Sequence, residues 1–203
     1  MQKEATTTPI AIDLGLPSGT LWADRNLGAE SITDCGDYYM WGSTEPDTDK
    51  VCDWAHTPFN GGFRWHNPDV VETFRMEAFP DGNLSDQYDA AHVQLGGNWH
   101  IPTTEQAKEL LDYTDSEWTI FGGILGRIFT SKSNGNAIFI PAAGFREGSS
   151  VYYVGSRAYL WSSTLNSRNQ GNAYGLNFLL DSCFGYVTYR CDGFCIRPVL
   201  QRR

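Results

Sequence analysis

From position 148 to the C-terminus the chain has no Lys, no Glu, no Met and no His, and all of these residues fall within 1–147. The asymmetry extends to charge. Residues 1–147 carry 22 acidic and 9 basic side chains, whereas 148–203 carry 2 acidic side chains and 6 Arg. A locally basic tail therefore sits on an acidic body, and ordinary surface composition does not account for it.

Other absences narrow the classes of function. No apolar run is long enough to span a bilayer, which argues against membrane insertion. A Lys/Arg stripe is missing and the net charge is −9, so there is no electrostatic footprint for duplex nucleic acid and no nucleic-acid partner is expected, although a small Arg-bearing patch in the tail could meet an anionic ligand. HExxH and GxSxG do not occur, and Gly122-Gly123-Ile124-Leu125-Gly126 lacks the Lys-Ser/Thr of a P-loop. His56, His66, His92 and His100 follow no ligand spacing, and polar loop or cap positions suit them best. No catalytic group, metal or cofactor is expected. Five Cys (35, 52, 183, 191 and 195) fit no zinc spacing, and their odd number prevents complete internal pairing. Cys191 and Cys195 form a CxxxC, which on a strand would share a face. Scattered thiols are the plainer reading of it, and a metal or redox pair the sharper one.

What is present points to an α+β fold. A chain of 203 residues with 41% hydrophobic content supports one sizeable core. Residues 1–9, with Thr6-Thr7-Thr8-Pro9, have no signal-type apolar centre and read as a disordered tether before one domain, 10–203. Either the protein is intracellular or phage-borne as encoded, or a leader has been removed from a surface protein. Residues 10–22 read as strand, Pro17-Ser18-Gly19 turn, strand. The Trp-, Gly- and Pro-rich stretch 34–80 reads as long loops anchored by Trp41, Trp54 and Trp65, for which a ligand role ranks second. A short helix is expected over 85–95, stopped by Gly96-Gly97. A second starts at Thr103, whose capping box with Gln106 precedes the apolar stripe Ala107, Leu110 and Leu111. The remainder is strand-rich: a hairpin from Ile128-Phe129-Thr130 through Asn134-Gly135 to 137–141, then 159–163, 173–179, 185–190 and 194–200. Asp192-Gly193 joins the last two.

Four motifs carry a resemblance. They are Ile12-Asp13-Leu14-Gly15-Leu16-Pro17-Ser18-Gly19-Thr20-Leu21-Trp22-Ala23, Gly36-Asp37-Tyr38-Tyr39-Met40-Trp41-Gly42, Gly97-Asn98-Trp99-His100-Ile101-Pro102-Thr103 and Gly193-Phe194-Cys195-Ile196-Arg197-Pro198-Val199. In this order and over nearly the whole chain, they resemble the Fibrobacter-type major paralogous domains, C-type-lectin-fold surface proteins abundant in gut Bacteroidetes. The resemblance implies two short helices packed on small antiparallel sheets with long loops. Some members are variable proteins of diversity-generating retroelements, in which template adenines are randomised. An Asn codon of the AAY type can then become many residues, but never Lys, Glu, Met, Gln or Trp. His remains reachable, so its absence carries no weight.

The same resemblance implies a frame of Tyr159, Trp161-Ser162-Ser163, Phe178, Arg190, Gly193-Phe194 and Arg197-Pro198-Val199. It implies a diversified, ligand-binding set over about 155–195: Arg157, Leu160, Leu165, Asn166, Arg168, Tyr174, Gly175, Asn177, Leu179, Phe184, Tyr186, Tyr189, Cys191 and Asp192. Strand alternation would turn the variable set outward and leave the core untouched. The implied protein is a receptor or adhesin with a hypervariable surface for a protein or glycan ligand, displayed on a cell surface or a phage particle. A structural adhesin or assembly subunit is the alternative. A formylglycine-generating-type enzyme ranks third, since the setting of Cys191 and Cys195 does not resemble that site. Calcium-lectin motifs are not matched, because Glu45-Pro46-Asp47 lies far from the tail and Trp161-Ser162-Ser163 replaces the second motif.

Overall fold

The computed structural model describes residues 8–58, 77–166, 168–169, 171–179 and 183–201, with positions 183, 184 and 186 as backbone only. Small antiparallel sheets dominate, joined by two α-helices among these residues. Strands β1 (Ala11–Asp13) and β2 (Leu21–Ala23) pair antiparallel around a turn in which Gly19 N–H donates to the Leu16 carbonyl at 2.9 Å. Both join a four-stranded sheet in the order β1-β2-β12-β3, with β3 at Trp99–His100 and β12 at Val199–Leu200. The two ends of the chain therefore close one sheet. Of the expected tether, 1–7 lies outside the described residues. Thr8 accepts from Arg25 through its carbonyl and Pro9 is buried, so the tether does not reach position 9.

Helix α1 (Ala90–Leu95) follows a 3-10 turn at Asp86–Tyr88 and ends at Gly96. Helix α2 (Thr104–Tyr113) starts at the expected capping box: Thr103 accepts from Gln106 N–H, and the Gln106 side chain accepts from Thr103 N–H. It runs without a loop into β4 (Thr114–Phe121), which pairs with β5 (Ile124–Ser131), and β5 pairs with β6 (Ala137–Pro141). The hairpin β7 (Phe145–Glu147) and β8 (Ser150–Tyr152) comes next. A third sheet holds β9 (Ala158–Leu165), β10 (Asn172–Phe178) and β11 (Cys183–Tyr189) in the order β11-β10-β9.

Strand β4 and the β7–β8 hairpin were not legible in advance. The segment 194–200 is also corrected: only Val199–Leu200 forms a ladder, while Phe194 and Cys195 make isolated bridges to Tyr39 and Leu160. Because Phe194 bonds on one side and Cys195 on the other, this segment threads between elements instead of extending β11. Cys191 and Cys195 accordingly share no strand face. Trp41 is a buried anchor as expected, Trp54 is 43% exposed, and Trp65 lies outside the described residues.

Two apolar clusters form the core, and β9 is the wall between them. Tyr159, Trp161 and Leu165 face one cluster with Tyr39, Trp41, Ile101 and Phe194. Ala158 and Leu160 face the other with Trp22, Leu110, Phe129, Leu176 and Phe178. Alternation holds, but both faces of the strand are dry, as in a sheet covered on two sides.

Candidate functional site

That two-sided burial corrects part of the expected binding set. Leu160 is 1% exposed, and Leu165, Asn177 and Cys191 are also buried, so none offers a ligand its side chain. At Gly175 a Cβ would stand 2.6 Å from the Leu160 carbonyl oxygen, which leaves no room for a side chain. A register shift in the β9–β10 pairing between Ala173 and Gly175 contributes, because it breaks the simple in-out count. Asn166 organises a loop instead: its Oδ1 accepts from the N–H groups of Arg168 and Asn169 at 3.0 and 3.2 Å. Leu179 is half-buried and its carbonyl accepts from Arg127 Nη1. Tyr174 is half-buried beside an apolar slot of about 240 Å³ against α2. The side chains of Phe184 and Tyr186 lie outside the described set.

Arg157, Arg168 and Tyr189 keep exposed surface; Asp192 is as buried as Cys191 but, unlike it, lines with Tyr189 a cleft of about 210 Å³. Its construction follows from one antiparallel bridge. Arg146 and Gly193 exchange both backbone hydrogen bonds, each at 2.8 Å. In that register Phe145 opposes Phe194 and Glu147 opposes Asp192, and all four side chains point to the face opposite Arg146. Phe145 and Phe194 meet edge-on at 5.9 Å, and Tyr159 packs on both at 5.1 and 5.0 Å. Gly193 suits the bridge because a Cβ there would come within 3.0 Å of both Arg146 Cβ and Cys52 Sγ. Thr188 and Tyr189 of β11 complete the lining.

The aromatic stack continues inward and outward. Phe194 lies 4.2 Å from Trp161, almost parallel to it. Outward, Phe145 touches Tyr152 and Tyr153, which stand exposed on the hairpin together with Val151 and Val154. Tyr153 has φ +60°, an uncommon conformation for an aromatic residue. Its carbonyl accepts from Ser156 and Arg157 N–H, and its ring carries the Arg157 guanidinium at 3.9 Å. On the other rim Tyr189, 58% exposed, meets Trp54 edge-on at 5.8 Å, and the Arg190 guanidinium lies 5.7 Å over Trp54. Sequence reasoning missed Phe145, Glu147, Tyr152 and Tyr153. The run Val151-Tyr152-Tyr153-Val154, beside Gly148-Ser149-Ser150, was the available signal.

Asp192 is the polar centre of the cleft, 6% exposed, with Thr188 Oγ1 donating to its Oδ2 at 2.8 Å. Burial pushes its carboxyl up to about 6; the Thr188 bond opposes this and the Glu147 charge adds to it. The folded pKa thus exceeds the unfolded value of about 3.9. Between about pH 4 and pH 6 the native state holds the extra proton, so this contribution to stability is complete below pH 4 and lost as pH rises through 6. Asp192→Asn keeps a Thr188 acceptor and is expected to stabilise the protein at pH 7 by about 1–3 kcal/mol. Urea unfolding at pH 4 to 7 checks this. A difference between variant and parent that does not grow with pH would refute it.

The four described thiols, Cys35, Cys52, Cys191 and Cys195, are free. Burial raises each, Cys52 to about 11 and Cys191 to about 12, so they are protonated at neutral pH. No metal-binding cluster occurs among the described residues, and no described helix is long and apolar enough to cross a membrane. Compared with known proteins, the chain matches no protein-family model, no curated protein and no solved structure.

Proposed function

We propose that this chain is a non-enzymatic binding protein of receptor or adhesin type, built on a C-type-lectin-like fold and displayed outside the cell or on a phage particle. Its ligand is a protein or a glycan. In this reading part of the tail over about 155–195 is diversified by a retroelement, and the exposed aromatic rim around the cleft is the contact surface. The observation that carries the proposal is the exposure of Tyr189, Trp54, Tyr152 and Tyr153 around a recess anchored in the core by Phe194 and Trp161. Exposed aromatic side chains disfavour solubility unless they bind, and Tyr, Trp and Arg are enriched at binding hot spots. Small antiparallel sheets with two helices suit the fold assignment, and the Lys-, Glu- and Met-free tail suits adenine-directed change. Protonated, buried thiols give little support to a cysteine enzyme.

Two measurements test the reading. A screen against glycans and surface proteins should find a ligand whose affinity falls at least tenfold in Tyr189→Ala, with stability changed by no more than about 0.5 kcal/mol. Equal affinity in the variant would exclude Tyr189 from the contact surface. In the genome, a template copy should differ from codons 155–195 at adenines alone, and differences at other bases would sink the diversification.

A structural adhesin or assembly subunit is the second reading. It is favoured by the exposed apolar residues Val151, Tyr152, Tyr153 and Val154, which precede the variable stretch. Concentration-dependent association in sedimentation, abolished by Tyr152→Ser with Val154→Ser, would support it, and a monomer at all concentrations would exclude it.

A further inference from the structure

We infer that the cleft between β7, β9 and β11 receives a cationic group, the ammonium or guanidinium of a basic side chain presented by a protein partner. This rests on the binding role proposed above for the rim around the cleft, and it narrows the ligand to one chemistry.

Three independent features point the same way. First, the Arg146–Gly193 bridge brings Glu147 beside Asp192 in the lining of one cleft, near enough for its charge to raise the Asp192 carboxyl. Like charges at opposed cross-strand positions are unfavourable. No counter-charge relieves them: neither carboxylate has an ion-pair partner among the described residues, and Asp192 is bonded only on the Oδ2 side, by Thr188. Arg146 itself points to the other face, where its Nε donates to the Lys50 carbonyl. Second, the remaining walls are the electron-rich rings of Phe145, Tyr159, Tyr189 and Phe194, which attract cations over their faces. The rim already behaves in this way within the chain, since Arg157 sits over Tyr153 and Arg190 over Trp54. Third, a volume of about 210 Å³ lies below the ~300–1,000 Å³ of sites for drug-sized molecules and suits the end of one side chain. The chain's net charge of −9 would steer a basic partner toward it.

Protonation gives the occupant a characteristic signature. A cation stabilises the charged form of Asp192, so binding strengthens as pH rises through the carboxyl's titration. The groups facing that carboxyl are Glu147 on β7, Thr188 on β11 and the Cys52 and Cys191 thiols, whose values are raised by burial and by Asp192 itself. Both thiols stay protonated over this range, so the change in binding is read at Asp192.

The test uses the full chain and small probes followed by amide chemical shifts. Nα-acetyl-lysine amide and Nα-acetyl-arginine amide should bind saturably, on the order of 1 mM for ligands of so few atoms, with shifts at Tyr189 and Asp192. The uncharged Nα-acetyl-norleucine amide, methyl mannoside and methyl galactoside should not bind there. Asp192→Asn and the exposed Glu147→Gln should each weaken the lysine probe, Asp192→Asn by roughly tenfold, the scale of one lost charge-assisted contact. The parent should bind several-fold more weakly at pH 5 than at pH 7, and Asp192→Asn should show a smaller change. Absent saturation, equal binding of norleucine amide, preferential binding of a glycoside, or unchanged affinity in both variants overturns the inference. The receptor reading is judged separately from the ligand screen with Tyr189→Ala. A ligand that needs Tyr189 but is not displaced by the lysine probe defeats the cation inference alone. Probe binding without any screened ligand defeats the receptor reading alone.

Discussion

Trp161→Ala is expected to remove about 3–5 kcal/mol of unfolding free energy and to lower Tm by roughly 6–20 °C. Trp161 is among the largest fully buried side chains, and it sits on β9, where the two apolar clusters meet. Its ring stacks on Phe194, and Phe194 in turn carries Tyr159 and Phe145 at the floor of the cleft. Its Nε1–H donates to the Tyr39 carbonyl at 2.6 Å, while Trp41 Nε1–H donates to the Ser162 carbonyl at 2.7 Å, a reciprocal tie between β9 and the 38–42 segment. The Tyr39 carbonyl also accepts from Phe194 N–H at 3.0 Å, so losing the indole does not orphan it. Most of the loss therefore comes from the cavity and the lost transfer energy, not from an unpaired acceptor. Trp161→Phe keeps the stack and should cost less than half as much. Thermal unfolding of both variants beside Tyr189→Ala checks the assignment. If Trp161→Ala were no worse than Tyr189→Ala, the β9 wall would not be the structural frame.

How far the sequence could be read depended on local punctuation. Pro17-Ser18-Gly19 and Asn134-Gly135 marked the β1–β2 and β5–β6 connections, and Thr103 with Gln106 marked the start of α2. Each is a turn or cap whose chemistry is confined to a few residues. Strand β4 had no such mark, because Tyr113 ends α2 and Thr114 begins the strand with no Gly or Pro between them. The segment 194–200 looked like a strand because it is apolar apart from Arg197. Its burial is real, but its backbone divides its bonds between Tyr39 and Leu160, and only the neighbours' positions in space could reveal that.

The site was half legible for a related reason. Assigning one dry and one wet face to each tail strand is sound for a sheet exposed on one side. Here β9 separates two clusters, so Leu160 is as deeply buried as its neighbour Trp161. Tyr189 and Asp192 survived because they stand at the end of β11 and in the turn beyond it. Their partners Phe145 and Glu147 come from β7, some 45 positions earlier, brought alongside by the Arg146–Gly193 bridge. Nothing local to either segment announces that pairing.

Arg197→Leu is expected to cost about 3–5 kcal/mol, and Arg197→Lys to recover less than half of that. Arg197 is fully buried and burial pulls its guanidinium down to about 9. Among the described residues no salt bridge holds it; its fork donates to Asn26 Oδ1 at 2.8 Å, the Ala23 carbonyl at 3.1 Å and the Phe139 carbonyl at 2.8 Å. Those acceptors belong to the loop after β2, to β2 and to β6, so one side chain ties the C-terminal segment to two sheets. Asn26 extends the tie by donating to the Cys35 carbonyl at 2.8 Å. Burying a charge without a counter-ion is costly, and an apolar core of the same shape could be more stable if donors and acceptors were removed together. Here that exchange is blocked, because two of the three acceptors are backbone carbonyls that no substitution removes. Leu would leave them facing an apolar side chain, each with a desolvation cost of about 1–3 kcal/mol. The Lys ammonium concentrates its donors at one point and cannot span three acceptors on separate elements. Urea unfolding reads the result as a lower midpoint at unchanged slope. An Arg197→Leu protein within about 1 kcal/mol of the parent would mean that water reaches those carbonyls and that the tie is not needed to close the sheets.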